Sequence, residues 1–117
     1  MKSREQLVTR ALQKLKVLAA GQSPSAEDYQ VVNDDVEPVL SDLSTRNVYP
    51  FGDPDQIEDN AFVQLAICLA IASANDFGSP QIDSGLSNEQ LRLSTESRLR
   101  ELTAQTLSGQ PLQVDYF

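Results

Sequence analysis

Few side chains in this sequence can do covalent chemistry. Its 117 residues contain no histidine and a single cysteine, Cys68. Triads built on histidine, thiolate chemistry with a histidine partner and histidine-containing zinc sites are therefore excluded. No G-x-x-x-x-G-K-[ST] or G-x-G-x-x-G segment occurs, so nothing supports a glycine-rich loop around a nucleotide. Carboxylate chemistry remains. Asp34, Asp35 and Glu37 would offer an acid and a base for glycoside hydrolysis, against the competing reading of a solvated helix face. Asp53, Asp55, Glu58 and Asp59 would offer oxygens to calcium, but their spacing departs from the calcium loop and lacks its glycine. Neither pattern is specific in a chain with 17 acidic and 9 basic residues. The expectation is a protein that is not an enzyme and uses no cofactor or metal.

The formal charge of -8 argues against general affinity for nucleic acid, which depends on clustered lysine and arginine, and against attraction to anionic lipid. It favours protein partners. The charge is also unevenly placed. Residues 2–16 hold Lys2, Arg4, Arg10, Lys14 and Lys16 against Glu5, whereas residues 27–59 hold ten carboxylates against Arg46 alone. Two readings stand side by side: pairing or solvation within one chain, or a basic helix facing the acidic segment of a neighbouring copy. On the second, Arg4, Arg10 and Lys14 are the interface candidates.

These residues must be positioned by helices. Ser3 and Gln6 form a capping box, and Leu7, Val8, Ala11, Leu12, Leu15 and Leu18 follow at helical spacing, which predicts a first helix ending near Gly21. Ser25 caps a second helix with the stripe Tyr29, Val32, Val36, Val39, Leu40 and Leu43, bent at Pro38. The segment 47–59 is a loop with Tyr49 and Phe51 as anchors. A third helix, AFVQLAICLAIASANDFG, is apolar nearly all round and closes at Gly78 with Pro80 beyond, so it should be surrounded by the others or by copies. It is short and alanine-rich for a membrane span. Cys68 within it reads as a small core residue in a reducing compartment. Ser87 with Gln90 begins a fourth, outer helix with a thin apolar stripe, reaching about Leu107. After Pro111 the tail alternates Leu112, Val114, Tyr116 and Phe117 with polar residues, the period of an extended segment that would dock on a partner, against the competing reading of a frayed terminus. The fold class is all-α: a bundle of four to five helices over residues 1–110 with an extended C-terminal tail at 111–117. The N-terminus lacks an apolar run and a cleavage site, so cytoplasmic production is expected.

The opening LVTRALQKLKVLAAGQSPSAEDYQVVNDDVEPVLSDL resembles the start of phage head-to-tail adaptor proteins. The helix ending in Asp76-Phe77-Gly78 with Pro80 is similar to the apolar helix of that family. The likeness covers roughly residues 4–107 and is nearest to tail accessory factors of short-tailed phages and to connector proteins of long-tailed phages. It implies a structural virion protein at the head-to-tail junction, assembled in the host bacterial cytoplasm. It further implies a ring of about a dozen copies that binds the portal protein, extends the DNA channel and presents a surface to the next tail component. DNA would be passing cargo only, and no membrane is involved. Leu112, Val114, Tyr116 and Phe117 would contact the portal or the adjacent subunit. The alternatives are a small cytoplasmic interaction or regulatory module and, third, a cell-wall hydrolase.

Overall fold

The computed structural model describes residues 1–19, 21–51 and 53–108. Among them the chain is all-α: α1 is Arg4–Lys14, α2 Ala26–Thr45, α3 Phe62–Ser73 and α4 Asn88–Ser108. Two 3-10 turns, Asp59–Ala61 and Ala74–Phe77, flank α3. The expected docking tail, with Leu112, Val114, Tyr116 and Phe117, lies outside the described residues.

α1 begins where the capping box places it. The Ser3 hydroxyl accepts from the Gln6 amide at 3.2 Å, and the Gln6 side chain accepts from the Ser3 amide at 2.9 Å, so two orphan donors of the first turn are satisfied. Its end differs from the expected Gly21. Lys16 takes a left-handed φ of 63°, which directs its amide to the Gln13 carbonyl at 3.0 Å and the Val17 amide to the Leu12 carbonyl at 3.2 Å. That pair of bonds is a Schellman closure, and it stops the helix before the glycine is reached. Leu15 stays buried and Leu18 packs on the core from the connecting segment.

Ser25 caps α2 by accepting from the Asp28 amide at 3.2 Å, and Val32, Val36, Leu40 and Leu43 are buried along one face. Pro38 lies inside a helix that continues through it, on the exposed side. The missing proline amide is thus lost where water can solvate the freed carbonyl. α2 ends as α1 does, with Asn47 left-handed at φ 58° and the Val48 amide on the Leu43 carbonyl at 2.8 Å.

α3 is the hub and touches α1, α2 and α4. Leu65, Ala66, Cys68, Leu69 and Ala70 are buried, while Val63 is 42% exposed. Buried Ala66, Ala70 and Ala74 recur every four residues, a row of small side chains that lets neighbouring helices approach. Gly78, at φ 83°, closes the segment as expected.

The loop before α3 belongs to the core. Val48, Tyr49 and Ile57 are buried, the Tyr49 hydroxyl accepts from the Glu58 amide at 3.2 Å, and Phe51 meets the Tyr49 ring edge-on at 5.4 Å. Ile57 pairs with Lys2 through two backbone bonds of 2.9 and 2.8 Å, tying the loop to the chain start. α4 opens on the Ser87–Gln90 box, with bonds of 3.2 and 3.1 Å, and packs on α3. Its buried face is Leu91, Thr95, Leu99 and Thr103, at a spacing of four; the Thr103 hydroxyl donates to the Val48 carbonyl at 3.1 Å.

Candidate functional site

A groove of about 320 Å³ runs between α2 and α4 over the C-terminal half of α3. Its apolar floor includes Val39, Cys68, Ile71 and Ala72, and its charged wall includes Asp35, Asp42, Arg46, Arg92 and Glu96. The helices position these groups through their periodicity. Asp35, Pro38, Val39, Asp42 and Arg46 stand three and four apart on α2, and Arg92 and Glu96 stand four apart on α4.

Glu96 is the centre of the wall. Its side chain is 5% exposed, and Arg46 from the end of α2 grips both carboxylate oxygens at 2.8 Å each. Arg92 adds a bond of 3.1 Å from the preceding turn of α4. Arg46 also holds Asp42 at 2.7 Å, and Arg92 also holds Glu89. Bidentate, charge-assisted bonds of this kind fix orientation as well as adding energy. The guanidinium of Arg46, with Arg92 behind it, holds the Glu96 carboxyl below the usual carboxylate range against the opposing effect of burial. Hydrogen bonds to Glu96 and then Asp42 raise the Arg46 pKa in turn. A carboxylate held ionised and gripped on both oxygens is a poor proton donor and a poor base, so the cluster serves as a clamp between α2 and α4.

Cys68 borders this groove but is 6% exposed. Burial, with the negative charge of Glu96, pushes its thiol up to about 12. The thiolate fraction at neutral pH is then on the order of 10⁻⁵, and the thiol is chemically quiet. In the folded protein, a disulfide reagent at pH 8 should label Cys68 at least about 100-fold more slowly than in urea, as followed by thiol release. Labelling at equal rates would contradict this burial.

Within each carboxylate grouping singled out in the sequence the side chains turn to different partners, and the two groupings share Arg4. Asp34 accepts from Gln30 at 2.6 Å, Asp35 accepts from the buried Ser73 hydroxyl at 2.8 Å, and Glu37 pairs with Arg4 at 2.9 Å. On the acidic loop, Asp53 accepts from the Asp55 amide at 2.9 Å, Asp55 pairs with Arg4 at 3.4 Å and Asp59 with the N-terminal amine at 3.4 Å. Among the described residues no group of three or more Cys, Asp or Glu side chains is placed to hold a metal ion.

The three basic candidates divide. Arg4 faces α2 and the loop before α3, where Glu37 and Asp55 respectively neutralise it, and Asn33 of α2 accepts at 3.4 Å. For this residue the acidic partner is internal. Arg10 donates to Gln13 at 3.0 Å, and among the described residues neither Arg10 nor Lys14 has a carboxylate within 4.0 Å. The sequence reading of the fourth helix as an outer helix with a thin apolar stripe does not disclose the clamp. The visible signal was Glu89, Arg92 and Glu96 at helical spacing, beside Arg46 as the lone cation of the acidic segment. No protein-family model, curated protein or solved structure matches this chain.

Proposed function

We propose that this chain is a structural head-to-tail adaptor of a phage virion, assembling as a ring beneath the portal and working without catalysis. The observation that carries the proposal is the use of the segments that resemble the adaptor family. α1, α2 and the apolar helix closed by Asp76-Phe77-Gly78 fold onto one another, with that helix at the centre. The arrangement of charge supports the noncatalytic part. The charged groups lining the groove between α2 and α4 are each held by a partner, which suits a rigid building block better than a reaction centre. A net acidic surface suits a conduit that DNA must slide through without sticking.

In this reading residues 1–110 form the ring body, and Leu112, Val114, Tyr116 and Phe117 dock on the portal or the adjacent subunit through main-chain bonds and alternate side chains. Deleting residues 111–117 tests it against portal rings from the same genome. The helical circular dichroism should be unchanged while cosedimentation with the rings is lost. Undiminished cosedimentation of the shortened chain would refute the docking role.

A further inference from the structure

We infer that two separate patches of this chain bind each other between copies: the cationic outer face of α1 in one copy seats in the acid-rimmed groove over α3 of the next. The inference rests on the ring reading and deepens it by naming the contact between subunits.

The groove offers a partly exposed apolar floor, Val39, Ile71 and Ala72, under a rim of carboxylates. Asp35 and Asp42 line it, and Asp28 continues the same α2 face seven residues earlier. Asp42 is 61% exposed. The two guanidiniums do not cancel this field, because Arg46 and Arg92 stand against four carboxylates, Asp35, Asp42, Glu89 and Glu96, and the wall keeps a net negative charge. The lip therefore attracts cations.

The outer face of α1 supplies them. Arg10 and Lys14 stand four residues apart on one side, roughly a third and a quarter of a turn around the helix from the internally paired Arg4. Neither has a carboxylate partner among the described residues. Beside Arg10 lies the partly exposed Phe62, with the Lys2 ammonium 5.6 Å from its ring centre and Glu5 as the one carboxylate lining the same hollow. A mainly cationic patch around Phe62 thus faces an apolar floor rimmed by carboxylates. The two patches share no residue. A contact between them is heterologous, and repetition of one heterologous contact generates a closed ring or a filament, whereas a two-fold dimer would need one patch to match itself.

Charge reversal tests the pairing. One variant carries Arg10→Glu with Lys14→Glu; the other carries Asp28→Lys with Asp42→Lys, leaving Asp35 on Ser73 and Glu96 on Arg46. Association is measured by sedimentation velocity at low salt, alone and with portal rings, and circular dichroism checks that each variant is folded. Each folded variant alone should associate at least about tenfold more weakly than the wild-type chain, because like charges then face each other. An equimolar mixture should recover association, since the two variants can alternate. The pairing is overturned if either variant associates as the wild type does, if the folded variants fail to recover on mixing, or if wild-type chains associate under neither condition. Wild-type chains that associate through these patches yet ignore the portal would leave the contact standing and remove the adaptor reading. Rings formed equally by both variants would do the reverse.

Discussion

Replacing Leu69 with alanine should lower the stability of the fold by about 3 kcal/mol, the mid-range for deleting a buried leucine side chain and leaving a cavity that only partly collapses. Leu69 is 1% exposed and sits on the helix that touches all three others, so the lost contacts are not confined to one neighbour. For a domain of this size the thermal midpoint should fall by roughly 10 °C or more. The informative comparison is Val63→Ala on the same helix. Val63 is 42% exposed, and its truncation should change stability by no more than about 0.5 kcal/mol. Thermal or urea unfolding followed by circular dichroism reads both. Equal effects at the two positions would mean that α3 is not surrounded in the way described.

Replacing Glu96 with glutamine should cost about 2 kcal/mol at neutral pH. Removing one partner of a fully buried ion pair costs about 3–5 kcal/mol. Here the side chains of Arg46 and Arg92 are 36% and 33% exposed, so water screens part of what the carboxylate leaves behind. The pH dependence carries a sign. Because the arginines lower the folded-state pKa of Glu96, its contribution is fully present above the unfolded carboxylate value of about 4.3. It is lost as pH falls from there through the lowered folded-state value. Wild type should therefore lose stability on acidification in that window more steeply than Glu96→Gln, and the gap between the two should narrow as pH drops. Urea titrations at pH 7, 5 and 3 measure it. A gap that stays constant down to pH 3 would show that Glu96 is not the charged centre of the clamp.

Much of the fold was legible because its signals are local. Ser3 with Gln6, Ser25 with Asp28 and Ser87 with Gln90 each mark a helix start within four residues, and all three caps form. The hub role of α3 followed from its composition, since an all-round apolar helix has to be enclosed. The end of α1 was not legible, because glycine and proline signals at Gly21 and Pro24 pointed beyond a closure that Lys16 makes in an unfavourable left-handed conformation. The packing face of α4 was only half visible. Thr95 and Thr103 fill core positions that a hydrophobic stripe does not count, and Glu96 is buried although its residue type is almost always exposed. Arg46 and Glu96 are separated by 50 residues, so no periodicity within one helix could join them. The same limit explains Arg4. Its partner Glu37 lies in the acidic segment that the sequence identified, but only the packing of α1 on α2 shows that the pair closes within one chain.

Arg10 and Lys14, without a carboxylate partner among the described residues, the acid-rimmed groove and residues 111–117 are the surfaces proposed for assembly. Native mass spectrometry of this chain mixed with purified portal rings from the same genome reads that assembly. The predicted result is a single dominant complex in which each portal ring carries one fixed, multiple number of copies, dissociating as salt is raised. Portal rings that emerge bare across all mixing ratios at low salt would contradict it.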